Sequence, residues 1–397
     1  MKKILFIINS LNVGGAEKSL VSLLNLLPKD KYKIDLYLLK KTGLFIQQLP
    51  QYVTINEVPF PYTCLSKTPT DFKFFLKNGL KWWGKKIYRT IQANRMKKDK
   101  GGAIVQHLWN SWKKDIPMLK KEYDIAISYI EGSTNYFIID KVNAKKRFLW
   151  VHTIYDKWGY APDFDRYYFE KADKVITISN ICKDSLIKNF PQIDKNKFIV
   201  LENLTSHHLI ESLSKEALDD SRFKDCEKKR ILSVGRLDPI KAYDLALNAA
   251  KELKTRGVDF VWYIIGGGKI KEELENLKNA LSLNDCVFFI GAQINPYKYM
   301  RYADIVVQSS KFEGKSIVLD EAKLLNKPIV ATNYSTVTDA ITDRETGLIT
   351  EMTPTSLADG ICEMLNNDVL RNKITENIKN LTKDNTYQLN EYINILN

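Results

Sequence analysis

The chain of 397 residues is poor in the residues that build metal centres and disulfide frameworks. Its five cysteines, Cys64, Cys182, Cys226, Cys286 and Cys362, are odd in number and contain no C-x-x-C pair. That argues against a disulfide scaffold and a cysteine zinc site, and a reducing, cytoplasmic compartment is the expectation. The four histidines include one adjacent pair but no H-E-x-x-H spacing, so no metal is expected from them. No run approaches the ~18 to 20 apolar residues needed to cross a bilayer. The short apolar run in "MKKILFIINS" fits a strand better than a signal sequence. A full G-x-G-x-x-G fingerprint is also missing, so a nicotinamide or flavin site is not supported.

What the chain has in excess is positive charge, +13 formally, and it is unevenly placed. Between Asp71 and Glu122 there are fourteen Lys and Arg against four Asp and Glu, so one segment holds most of the surplus. A local basic patch implies a localised anionic partner. Within it Phe72, Phe75, Leu76, Leu80, Trp83 and Ile87 recur at helical spacing among lysines, and "HLWNSWKK" adds two tryptophans. Aromatics beside cations on an amphipathic helix suit an anionic membrane surface, where each Lys or Arg contributes roughly 1 kcal/mol. A core-facing helix with a solvated basic face explains the same pattern. A nucleic-acid partner would need a readout element, and no zinc-finger, RRM or KH pattern is present, so no nucleic acid is expected.

Short β-branched and aromatic runs alternate with longer amphipathic stretches, which predicts an α/β chain with parallel sheets. "KKILFII", "KIDLYLL", "YDIAISYI", "RFLWVH" and "KVITIS" are the strands of a first half. After Asp220 the pattern restarts with "RILSVG", "FVWYIIG", "CVFFIG", "DIVVQSS" and "PIVAT", nearly continuous apolar runs of the kind that buried parallel strands show. The expected organisation is a domain over 1–204 with a basic insertion at about 70–122, a second over 205–375, and a polar tail over 376–397 that packs back on the first domain or frays.

Ligands of open parallel sheets bind beyond the carboxyl ends of the strands, so the residues after each strand are the candidates. Gly14 and Gly15 after the first strand allow close backbone approach at a helix N-terminus, a usual place for an anion. Arg236 and Lys241 flank a Pro turn after the first strand of the second half and can converge on one polyanion. Gly266, Gly267 and Gly268 repeat that placement, as ligand contact or as a flexible turn. Gly291 opens a loop able to present backbone groups to a nucleobase. In "KFEGKSIVLDEA", Glu313 and Gly314 sit in a loop and Ser316 is the N-cap of a helix. The amides of Ser316, Ile317 and Val318 can face a phosphate there, and Glu321 lies inside the helix. Glu313 can bind a sugar and Glu321 two vicinal hydroxyls, such as those of a ribose. For Glu321 the plainer expectation is a solvated helix glutamate.

In combination, "NVGGAEK", "VGRLDPIKAYDLA", "SSKFEGKSIVLDEAKLLNKPIVAT" with its E-x7-E spacing, and "GLIT" resemble the retaining glycosyltransferases of family 4. The likeness is strongest over about residues 231–350. It implies the GT-B architecture, two Rossmann-like domains with parallel sheets facing across a cleft. It also implies transfer from a nucleotide-diphosphate sugar, a UDP-sugar by expectation, with retention of configuration and no cofactor or required metal. Arg236 and Lys241 would then hold the diphosphate, Glu321 the ribose and Glu313 the donor sugar, with Gly15 beside the phosphates. His152 in "WVHTIY" matches a post-strand histidine near that sugar. The implied acceptor is a saccharide or lipid-linked saccharide of cell-surface polysaccharide assembly, reached from the cytoplasmic face of an anionic membrane. A GT-B nucleotide-sugar epimerase and a non-catalytic relative are the alternatives. One departure is "EGKS" where many members have "EGFG", which places Lys315 near the proposed sugar pocket.

Overall fold

The computed structural model describes residues 1–12, 14–95, 101–204, 207–381 and 389–397. Val13 of the glycine loop, the basic run 96–100, residues 205–206 of the expected seam and residues 382–388 of the tail lie outside these. The chain divides into two compact units, Met1–Asn12 with Ala16–Asn203 and Gln388–Asn397, and Val13–Gly15 with Leu204–Tyr387.

The first unit is built on seven parallel strands: β1 (Lys2–Ile8), β2 (Tyr32–Leu38), β3 (Val53–Glu57), β4 (Glu122–Ser128), β5 (Asn143–Val151), β6 (Lys174–Thr177) and β7 (Phe198–Val200). Their order is β3-β2-β1-β4-β5-β6-β7. β1 is central and covered on both faces, so Ile4 to Ile8 are all fully buried, as a continuous apolar strand requires. The helix Gly15–Leu26 returns the chain from β1 to β2 and buries Leu20, Leu23 and Leu24, each worth roughly 1.5–3 kcal/mol. The helix Leu389–Leu396 packs on this unit. Tyr392 stacks on Trp150 and donates its hydroxyl to Glu202 O at 2.8 Å.

The insertion forms helices Phe72–Asn78, Leu80–Asn94 and Gly101–Trp112. Its apolar residues divide between core and solvent. Phe75 and Trp112 are fully buried, and Trp83 is half-buried with its indole N–H donating to Pro69 O at 2.9 Å. Phe72, Leu76 and Leu80 instead stand exposed, with Lys73, Lys77 and Lys81 around them.

The second unit has six parallel strands: β8 (Lys229–Val234), β9 (Phe260–Ile265), β10 (Val287–Gly291), β11 (Ile305–Gln308), β12 (Ile329–Thr332) and β13 (Leu348–Thr350), in the order β10-β9-β8-β11-β12-β13. All of β9 is buried. The helix Tyr243–Thr255 covers one face with Leu245, Ala246, Leu247, Ala249, Ala250 and Leu253. It ends before Gly257, which takes the left-handed conformation (φ 75°) suited to a C-terminal cap. The expected boundary at 375 falls inside the helix Asp368–Leu381, whose Leu370, Ile374 and Ile378 are spaced four apart and buried in this core. The second unit therefore continues past it.

Both sheets are doubly wound: β1 pairs with β2 and β4, and β8 with β9 and β11. The strand order reverses at those pairs, and the crevice beyond their carboxyl ends is the natural ligand position.

Candidate functional site

In the second unit the loop after β8 begins with Gly235 and Arg236. Asp238 then accepts hydrogen bonds from the N–H groups of Ile240 and Lys241, at 3.1 and 3.3 Å, and caps the short turn Pro239–Lys241. Ala242 is left-handed (φ 49°) and starts the following helix. This turn delivers Lys241 to the end of β11. There Glu313 Oε1 accepts from Lys241 Nζ, from Gln308 Nε2 at 2.9 Å and from Ser310 Oγ at 2.7 Å. Gln308 is held in turn: its amide also donates to Ser316 Oγ at 2.8 Å, and its oxygen accepts from Tyr334 OH at 2.9 Å. Ser309 Oγ donates to Lys241 O at 2.8 Å, and Thr336 Oγ1 to Glu313 O at 2.9 Å. The Lys241 and Glu313 side chains are only 17% and 12% exposed. The result is a charged pair fixed by neutral donors at the carboxyl ends of β8 and β11.

Ser316 caps the helix Ile317–Leu324, accepting from Leu319 N–H at 3.4 Å. Ile317 is buried, whereas Gly314 and Val318 are half-buried beside it. Glu321 is fully buried and accepts from Tyr297 OH at 3.0 Å, which overturns the plainer expectation of a solvated glutamate. Burial, with the Glu321 charge second, pushes the Tyr297 phenol well up, so it stays a donor. Arg236 forms no ion pair with Glu313 among the described residues. Its side chain is 60% exposed and its Nε lies 3.5 Å from Asp238 Oδ2.

The glycine run after β9 has a packing explanation. A Cβ on Gly266 would lie 1.8 Å from Gly235 O, and one on Gly268 2.0 Å from Leu237 O. Gly267 has only Ala292 Cβ nearby, at 3.9 Å. Gly291 is required by its φ of 75° rather than by crowding.

Gly14 precedes, and Gly15 begins, the helix after β1, and both are grouped with the second unit. His152 follows β5 and is 9% exposed. Burial pushes its imidazole down to about 3, so the ring is neutral at physiological pH. Neither ring nitrogen has a hydrogen-bond partner among the described residues.

Sequence reasoning passed over Gln308, Ser310, Tyr297 and Tyr334, which orient Glu313 and Glu321, and Glu131, which lies beside His152. Gln308, Ser310 and Glu131 sit at or just past strand ends, so inspecting every such position would have found them. Tyr334, two residues past β12, falls under the same rule, whereas Tyr297 opens the helix Tyr297–Tyr302 and leaves no local signal. Among the described residues no group of three or more His, Cys, Asp or Glu is placed to hold a metal ion. No described helix is long and apolar enough to cross a membrane.

Comparison with solved structures defines the class of fold. HepE of Anabaena in complex with UDP-glucose aligns over 100% of this chain and 99% of its own, with a TM-score of 0.71 at 17% identity. WaaG, a glycosyltransferase involved in lipopolysaccharide biosynthesis, aligns over 98% of each chain with a TM-score of 0.64 at 15% identity. The fold is thus α/β with two Rossmann-like parallel-sheet domains of the GT-B type. More particularly, residues 214–381 match the family model of glycosyl transferases group 1. The N-acetylgalactosamine-N,N'-diacetylbacillosaminyl-diphospho-undecaprenol 4-alpha-N-acetylgalactosaminyltransferase of Campylobacter jejuni is 35% identical over 217 residues, 54% of this chain and 57% of that protein. The chain spans about half the length of the curated relatives it matches.

Proposed function

We propose that the protein is a retaining, hexosyl-type glycosyltransferase that moves a sugar from a nucleotide-diphosphate sugar, a UDP-sugar, to a saccharide or lipid-linked saccharide of a cell-surface polysaccharide such as a capsule. The observation that carries this is the Lys241–Glu313 pair at the carboxyl ends of β8 and β11, within the segment matching the group 1 family. Lys241 and the exposed Arg236 hold the diphosphate, Glu313 the donor sugar, and buried Glu321 the ribose. His152, neutral and without a hydrogen-bond partner among the described residues, is available to a sugar hydroxyl. The C–O bond to the leaving diphosphate breaks as the acceptor oxygen attacks the same face. The acceptor's proton passes to the departing phosphate oxygen, so no protein base is required. Lys241 and Arg236 stabilise the charge that develops there, a role a divalent metal fills in other enzymes. The UDP-glucose complex of HepE and the lipid-linked substrate in the name of the C. jejuni relative support the donor and acceptor classes.

A thermal-shift panel of nucleotide sugars tests the donor. At about a hundredfold excess over Kd the cognate donor adds about 2.7 kcal/mol of stability, a rise of several degrees. Arg236→Ala is expected to remove most of that rise while leaving the ligand-free Tm unchanged, because the side chain is largely solvated. A panel with no donor-specific rise sinks the assignment.

The exposed Phe72, Leu76 and Leu80 among Lys73, Lys77 and Lys81 support peripheral attachment to the anionic inner face of the cell membrane. At low salt the protein is expected to co-sediment with anionic but not with neutral vesicles. Replacing the three apolar residues with serine is expected to reduce the bound fraction about tenfold or more. Equal binding to both vesicle types, or none to either, removes the membrane from this account.

A further inference from the structure

We infer that Glu131 is a positioning residue for His152, a carboxylate at the end of β4 that fixes the backbone carrying the imidazole at the end of β5. β4 and β5 are neighbours in parallel register, with Ser128 opposite Leu149, so the loops leaving them run side by side. The turn that presents Glu131 is itself pinned. Ser128 Oγ and Thr134 Oγ1 both donate to Ile130 O, at 2.9 and 2.7 Å. Gly132 then takes a φ of 95°, which releases the chain into the helix Ser133–Lys141. From this mount Glu131 Oε2 accepts the backbone N–H of His152 at 3.0 Å, and Oε1 accepts Thr153 Oγ1–H at 3.3 Å. One carboxylate thereby holds two successive residues of the neighbouring loop.

The His152 ring has no comparable anchor. It is 9% exposed, its centroid lies 5.4 Å from that of Tyr129, and neither nitrogen is hydrogen-bonded among the described residues. A ring held only by packing takes its aim from its own backbone. The group that holds that backbone is Glu131. Burial pushes the Glu131 carboxyl up, and its hydrogen bonds from His152 and Thr153 oppose that shift, as expected of a carboxylate kept for its contacts rather than for solvation. The kinetic consequence of this positioning rests on the glycosyl-transfer reading, whereas the geometry does not.

The test compares wild type, Glu131→Gln, Glu131→Asp, His152→Ala and the double variant Glu131→Gln/His152→Ala, all as the full chain. An amide at 131 keeps one acceptor for the His152 N–H and can meet the Thr153 hydroxyl only as a donor. That hydroxyl must then reverse its role, and the charge-assisted hold on both residues gives way to weaker neutral bonds that let the loop shift. A displacement near 1 Å at a reacting group costs about 10- to 100-fold. Glu131→Gln is expected to lower kcat by that factor with donor KM within about twofold, and to add nothing in the His152→Ala background, because both act through one ring. The imidazole C–H signals of His152, identified among the four histidines by their loss in His152→Ala, are expected to move in Glu131→Gln while those of His107 stay in place. Should Glu131→Gln fail to fold, Glu131→Asp, which keeps the charge but shortens the reach, gives the same reading. Unchanged His152 signals, or losses that multiply in the double variant, overturn the positioning role. Signals that move in a protein without transfer activity toward any donor leave that role standing and remove the transferase reading instead.

Discussion

Lys241→Met is expected to lower glycosyl transfer by about a thousandfold, the upper end of what one charge-stabilising group contributes in an enclosed site. The variant should lose stability as well. Glu313 is 12% exposed and receives Lys241, Gln308 and Ser310 on one oxygen. Removing the ammonium leaves a mostly buried carboxylate with neutral donors only. Breaking a buried pair from one side costs about 3 kcal/mol or more. Adding Glu313→Gln removes the stranded charge and keeps an acceptor for Gln308 and Ser310, so the Lys241→Met/Glu313→Gln protein should regain most of the lost Tm. It should regain no activity, because neither phosphate nor sugar recovers its partner. Thermal unfolding beside transfer rates at saturating donor separates the two effects. A Lys241→Met enzyme with more than about a tenth of wild-type kcat would remove Lys241 from the proposed chemistry.

The sequence revealed strands by the continuity of their apolar runs, which the edge strand β10 keeps in "VFFI" although four of its five residues are half-buried. Every central strand is a near-continuous apolar run, from "KKILFII" to "FVWYII", and these were legible. β3, β7 and β13 were not. Each lies at a sheet edge, and "VTINE", "FIV" and "LIT" are short, with half-buried positions in all three. An edge strand is covered less and needs no continuous apolar run. The site shows a similar division. Strand-to-helix turns mark where the candidate ligand groups stand, so Arg236, Lys241, Glu313 and Ser316 could be placed on the chain. Their partners could not, because Lys241 meets Glu313 across 72 residues and Tyr297 meets Glu321 across 24. Glu321 shows the limit most clearly. A glutamate within an amphipathic helix looks solvated until the tyrosine that buries it is known. In the insertion, helical periodicity alone could not separate Phe75, which enters the core, from Phe72 and Leu76, which do not.

The run "GGG" at 266–268 invites comparison with a phosphate-binding loop, yet the expected response to substitution is set by backbone crowding at two of its positions. The loops after β8 and β9 stay paired beyond their strands. Gly235 N–H donates to Ile265 O at 2.9 Å and Leu237 N–H to Gly267 O at 3.0 Å. That pairing brings Gly235 O within 1.8 Å of where a side chain at 266 would begin, and the clash is with backbone, which cannot rotate away. Gly266→Ala must therefore part the two loops. It is expected to cost about 3 to 4 kcal/mol, near the upper end of single substitutions. For a unit of this size that lowers Tm by roughly 10 °C. Gly268→Ala, with Leu237 O at 2.0 Å, should behave alike, whereas Gly267→Ala should unfold with wild type. The same displacement reaches function. Residues 235–238 lead into the turn that Asp238 caps and that carries Lys241 to Glu313. In Gly266→Ala the donor-induced rise in Tm should shrink together with the baseline, while Gly267→Ala keeps both. If Gly266→Ala instead melts with wild type and binds donor normally, the two loops do not approach as described, and the glycines at 266 and 268 have to be explained by ligand contact.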